Sequence, residues 1–134
     1  MESGIISINN NIFETLLAIS SDEQQKGLMY HKPPTPIMSF VYTKPENNRF
    51  WMLNTPAPLD IVFCLNNKIS QIHYGEPYST KMIGNHEELS DLIVELPHGT
   101  INSLNVKIGN SVNLLAPTTD EFKKIVARKL YRNY

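Results

Sequence analysis

The seven residues from Leu59 to Leu65 constrain this chain more than any other stretch. Successive strand side chains point to opposite faces. Leu59, Ile61, Phe63 and Leu65 therefore share one face, and Asp60, Val62 and Cys64 share the other. Both faces are largely apolar, so the strand must be covered on both sides, near the centre of whatever fold contains it. Asn66-Asn67 then leads into Lys68 to Tyr74, a hairpin signal, because asparagine tolerates the left-handed backbone of a tight turn. A chain of 134 residues has the size of one domain and can bury about two thirds of its unfolded surface.

Nine prolines and fourteen asparagines predict many turns and few long helices around that hairpin. Ile5, Ile6 and Ile8 lead through Asn9-Asn10-Asn11 into a strand over Ile12 to Ile19, a second hairpin. Ser20 and Ser21 cap a short helix with Asp22 and Glu23 in its first turn. Gly27 ends that helix, and Pro33, Pro34 and Pro36 block its continuation. Further strands are predicted over Ile37–Tyr42, Leu92–Leu96 and Val106–Leu115, with turns at Lys44–Asn48 and Gly109-Asn110. Arg49 to Asn54 reads as extended, with Trp51 and Leu53 on one side and Phe50 and Met52 on the other. Tyr78 to Ser90 reads as a loop with a helical turn. Thr118 and Glu121 form a capping box ahead of a helix from Thr119 to Tyr131, with Phe122, Ile125, Val126 and Leu130 at helical spacing. The expected fold is mainly β: a small compact barrel-like or sandwich domain with one short helix near the N-terminus and a C-terminal helix.

Several function classes lack support. Twelve basic and thirteen acidic side chains leave a net charge of −1, too little field for nucleic acid or an anionic membrane. Cys64 is the sole cysteine, so no disulfide forms within the chain. Met1-Glu2-Ser3-Gly4 is unlike a secretion signal and no apolar run spans a bilayer, so the expected location is the cytoplasm. His31, His73, His86 and His98 show no metal-ligand spacing, and the scattered glycines form no phosphate loop. No metal or cofactor is expected.

Three stretches carry a family resemblance. They are Gly27-Leu28-Met29-Tyr30, then Met38-Ser39-Phe40, and above all Phe50-Trp51-Met52-Leu53-Asn54-Thr55-Pro56-Ala57-Pro58-Leu59-Asp60-Ile61-Val62-Phe63. Val94-Glu95-Leu96-Pro97 and Gly109-Asn110-Ser111-Val112 extend it over roughly Ile12 to Leu115. Together they resemble the uncharacterised ACR family, domain of unknown function 192. The resemblance implies a compact, mainly β, barrel-like domain and no settled activity. Many relatives begin with a secretion signal, which this chain lacks. Copies also occur in tailed phages, so a phage-encoded protein, located in a virion, is an alternative. Residues 1–116 are expected to form the family-like domain, and 117–134 a helical extension of it.

Asp60 stands inside an apolar strand, where an unpaired carboxylate is very costly. It is either a structural acceptor taking bonds from nearby backbone amides, Thr55 or Asn54, or a ligand contact or general base. Trp51 reads as a core plug or a pocket wall, and Asn54 and Thr55 as turn residues or polar groups at a pocket mouth. Met29, Met38 and Met52 could hold Cu(I) but read as adaptable core fillers. Cys64 reads as a packed thiol, and the histidines as surface or turn residues.

The leading expectation is a non-enzymatic binding module with a small-ligand pocket around Trp51, Asn54, Thr55 and Asp60. A second is a structural component of a larger assembly, such as a phage particle. Phe122, Ile125, Val126 and Leu130 would then dock a protein partner or a second copy, unless the helix folds back. A third is a hydrolase pairing Asp60 with His73 or His98.

Overall fold

The computed structural model describes residues 1–131, the side chains of 130 and 131 excepted. Seven strands and three helices follow in the order β1 (Glu2–Ile8), β2 (Asn11–Ala18), α1 (Ser21–Lys26), β3 (Met38–Glu46), β4 (Leu59–Leu65), β5 (Lys68–Gly75), β6 (Ser90–Pro97), α2 (Thr100–Ser103), β7 (Val112–Ala116) and α3 (Thr119–Tyr131). The strands form one sheet in the order β5-β4-β6-β3-β2-β1-β7. All neighbours are antiparallel except β2 and β3. The two edges curl towards each other and meet at one end. Ile69 N–H donates to Asn110 O (3.0 Å), Gly109 N–H to Ile69 O (2.8 Å) and Val112 N–H to Asn67 O (2.9 Å). The result is a curled half-barrel.

The two faces of the sheet bury separate cores. Inside the curl, Ile6, Ile8, Val62, Cys64, Leu92, Val94, Leu96, Ile101 and Val112 pack together. On the outer face, Met38, Phe40, Leu59, Ile61, Phe63 and Ile93 lie under Leu28, Met52 and Ala57. Full burial of one such side chain stabilises by about 1.5–3 kcal/mol. This is the two-sided cover that the Leu59–Leu65 pattern demands.

Local chemistry sets the hairpins and caps. Asn9 and Asn10 (φ 47 and 68) and Asn66 and Asn67 (φ 51 and 65) take the left-handed conformation in the two predicted turns. Ser20 caps α1 through a capping box with Glu23. Thr118 and Glu121 cap α3: Thr118 N–H donates to Glu121 Oε2 (2.8 Å) and Glu121 N–H to Thr118 Oγ1 (3.3 Å).

Four expectations need correction. The predicted turn at Lys44–Asn48 begins later, because β3 resumes pairing at Glu46 with Ser90 beyond a register shift. The loop after Tyr78 makes no helical turn. It is pinned instead by paired backbone bonds between Phe50 and Ile83 (2.9 and 2.6 Å), followed by Gly84 at φ 118. The last strand covers only Val112–Ala116, because Gly109 (φ 93) and the Asn110 side chain, which accepts from Lys107 N–H, turn the chain out of the sheet. Helix α2 was not expected, since four residues after a left-handed Gly99 leave no periodic pattern.

Candidate functional site

Two strand-borne acids sit one rung apart on neighbouring strands. In the β4–β6 ladder Asp60 pairs with Leu96, and Ile61 pairs with Glu95. Asp60 and Glu95 are 7 % and 4 % exposed. The pleat sends Asp60 towards the inside of the curl and Glu95 towards the outer face, and their surroundings differ completely.

Asp60 is fully partnered. Its Oδ2 accepts from Gly99 N–H and Ile101 N–H, both at 3.0 Å, and its Oδ1 lies 2.8 Å from His98 Nδ1. It therefore ties β4 to the turn that opens α2. The amides that donate to Asp60 come from Gly99 and Ile101 and not from Asn54 or Thr55. His98 is half exposed and packs edge-on against Tyr74 at 4.6 Å. It is a bonded partner of the acid, not a bare surface histidine.

Glu95 differs. Among the described residues, no group hydrogen-bonds to its carboxyl. Burial pushes its pKa up to about 8. The carboxyl forms the floor of a cavity of about 490 Å³, walled by Phe40, Tyr42, Phe50 and Trp51. Phe40 and Phe50 meet edge-to-face at 4.7 Å. Gly27, at φ 50, brings bare backbone against this floor: a methyl group there would lie 3.3 Å from the Phe40 ring and 3.6 Å from Glu95 Oε1.

The predicted site residues therefore separate. Trp51 and Thr55 line the cavity, whereas Asp60 lines a different cleft with Tyr74 and His98. Trp51 is 44 % exposed, so it is a wall at the mouth and not a core plug. Residue alternation explains this: Met52 is wholly buried, so its neighbour turns outward. Asn54, at φ 54, fixes the turn and donates to Tyr30 Oη at 3.1 Å. Thr55 Oγ1 donates to Leu53 O at 3.0 Å. Of the motif residues, Gly27, Leu28, Met29 and Phe50 line the cavity, while Met38 and Met52 are core. Cys64 is buried, and burial raises its pKa, as expected for a packed thiol. His73 is half-buried in β5 with its Nε2 2.8 Å from Gln71 Oε1, not a surface residue. Among the described residues, no group of His, Cys, Asp and Glu side chains is arranged to hold a metal, and no helix is long and apolar enough to cross a membrane.

Glu95 and Phe40 are the site residues that sequence reasoning missed. The signal for Glu95 was the one that singled out Asp60: an acid inside an apolar run, here Leu92 to Leu96.

The model of the family described as uncharacterized ACR, DUF192, matches residues 4–114. The chain belongs to that family. Outside the match lie residues 1–3 and 115–134, which include the end of β7 and all of α3. No curated protein matches it. It is similar to the crystal structure of a protein of unknown function from Novosphingobium aromaticivorans. That match has 28 % identity and a TM-score of 0.75, over 81 % of this chain and 83 % of that one. It is also similar to a Sinorhizobium meliloti protein described as a candidate transcription regulator. There the identity is 25 % and the TM-score 0.77, over 84 % of this chain and 94 % of that one. The motifs that carry the family likeness, Gly27-Leu28-Met29 and Phe50-Trp51, converge on the cavity above Glu95.

Proposed function

We propose that this ACR domain is a non-enzymatic binding module whose small ligand enters the cavity over Glu95. One observation carries the reading: a carboxyl that is 4 % exposed, and has no hydrogen-bond partner among the described residues, faces an open cavity with aromatic walls. A buried polar group without a hydrogen bond costs roughly 1–3 kcal/mol. Asp60 meets its donors within the fold, whereas Glu95 opens onto the cavity, so its carboxyl marks a place for an external partner. The volume, about 490 Å³, suits a small molecule, and the lining is mixed, with Phe40, Phe50 and Trp51 beside polar side chains such as Gln24, Asn48 and Thr55.

The test uses Trp51, the single indole, which stands at the mouth. Screening small-molecule classes by tryptophan fluorescence and thermal shift is expected to yield at least one class that moves both signals. Both signals are expected to vanish in Glu95→Gln, and the thermal shift to shrink in Trp51→Ala, which lacks the indole reporter. A screen in which no class moves either signal would sink the reading.

A hydrolase built on Asp60 is a second reading, favoured by the 2.8 Å contact between Asp60 and His98. The cleft around that pair includes Tyr74, Asn102, Asn105 and Lys107 but neither serine nor cysteine. Loss of a measured esterase or phosphatase activity in His98→Ala, with folding intact, would support it. An activity unchanged in that variant would remove it. A role in a larger assembly, such as a phage particle, would use the helical tail. A regulatory role, which the description of the Sinorhizobium protein suggests for that protein, would act here through the bound ligand, since a charge of −1 offers no field for DNA.

A further inference from the structure

We propose that the ligand of this cavity carries a primary ammonium group and seats it against Glu95. The inference rests on the binding reading above and adds the chemistry of the buried end. An ionised carboxylate has about four lone-pair sites and accepts only, so it is completed by a group that donates several hydrogen bonds. A primary ammonium offers three donors and the opposite charge. The walls agree with a cation: Phe40, Tyr42, Phe50 and Trp51 present aromatic rings, whose faces attract positive charge. Met29 and Met82 add polarizable sulfur and no competing donor.

The charges around the cavity orient the ligand. Tyr42 and Glu46 face it from β3, Lys26 from the end of α1, and Arg49 from the segment after β3. Lys26, Glu46 and Arg49 are exposed, so they stand at the rim while Glu95 lies beneath. Lys26 and Arg49 outnumber Glu46 at the rim, and Glu46 is solvated there, so the shielded floor over Glu95 is the stronger place for the ammonium. The same two cations suit a polar or anionic group at the ligand's outer end. A carboxylate or phosphate ligand directed inward would meet at most the single donor of a protonated Glu95, and like charge above about pH 8; a purely apolar ligand would leave Glu95 without a polar partner.

The proposal fixes the sign of the pH dependence. Burial holds the free protein's Glu95 protonated up to about pH 8. Forming the ion pair expels that proton, so ammonium affinity rises about tenfold per pH unit from pH 6 towards 8 and then levels off. A ligand carbonyl accepting from protonated Glu95 would show the opposite trend, losing affinity above pH 8.

The experiment compares n-butylamine, butyltrimethylammonium, n-butanol and butyrate on the full chain, by Trp51 fluorescence and calorimetry. Butylamine is expected to bind at least about tenfold more tightly than butanol or butyrate. It should also outbind its quaternary analogue, lose about tenfold or more in Glu95→Gln, and release close to one proton at pH 7. Glu95→Gln is isosteric and removes a buried acid, so it should stay folded; circular dichroism checks this, and Trp51→Phe provides a second variant with weakened but pH-dependent binding. Equal binding of butanol or butyrate, affinity for butylamine that falls with pH, or binding unaltered in Glu95→Gln overturns the ammonium assignment. So does an absence of butylamine binding. In each case the binding reading survives if another class in the wider screen still moves both signals, and fails only if none does.

Discussion

Asp60 and Glu95 show how one residue type takes opposite roles one rung apart. Asp60 accepts two amides and contacts His98, so its carboxyl is satisfied where it stands. Asp60→Asn keeps the shape but places an NH₂ group where amides need an acceptor. We expect it to cost about 2–4 kcal/mol, read by urea denaturation at pH 7. Glu95 behaves differently. Its folded pKa of about 8 lies above the ordinary 4.5, so between these values the native state holds a proton that the unfolded chain has released. Stability therefore falls as pH rises through that window, by at most about 1.4 kcal/mol per pH unit from this group. Melting curves from pH 5 to 8 should show that decline, and Glu95→Gln should flatten it; an unchanged slope would mean that Glu95 is ionised in the native state.

At the scale of elements, α1 is a support for the cavity. Its six residues bury no side chain of their own, so packing cannot hold it alone. Its capping box and an ion pair do so. Burial opposes ionisation of Glu23, but Ser20 N–H, the Lys129 ammonium at 3.1 Å and Ile19 N–H together outweigh it and hold the pKa near 2. The folded value lies below the unfolded one, so the contribution is present above about pH 4.5 and is lost as pH falls towards 2. Lys129→Ala should destabilise by about 1 kcal/mol at pH 7 and less at pH 3, measured by urea denaturation at both. Gly27, directly after α1, sits at φ 50 against Phe40 and Glu95. Gly27→Ala should cost about 1–2 kcal/mol from the strained backbone. It should also weaken any ligand response at Trp51 by narrowing the floor.

Over the whole molecule, the curl of the sheet separates the cavity over Glu95 from the Asp60 cleft. The tail is attached lightly to this body. Ile125 is buried, Phe122 and Val126 are half-buried, Arg128 Nη2 lies 3.6 Å from Glu2 Oε1, and Lys129 reaches Glu23. The side chain of Leu130 lies outside the described residues. Docking of this helix onto a protein partner or a second copy is a proposal that the apolar residues Phe122 and Val126 motivate. Removing residues 117–134 should leave a folded sheet, less stable by about 1–3 kcal/mol. Light scattering before and after checks docking onto a second copy: an oligomer that becomes a monomer on truncation supports it, and a monomer both before and after counts against it.

Patterns confined to neighbouring residues were legible in the chain itself. The two asparagine turns, the capping boxes at Ser20 and Thr118, the two-faced strand at Leu59–Leu65 and the span of α3 all depend on local backbone chemistry or side-chain period, and the motifs disclosed the family. What pairs across the sheet was not legible. No spacing rule says that Asp60 would meet His98 and Gly99 some forty residues on, or that Gly27, Phe40, Trp51 and Glu95 would enclose one cavity. A buried acid in a strand reads the same in sequence whether donors reach it or not; only the register of β4 against β6 and the curl of the sheet decide which acid is satisfied and which is left facing open space.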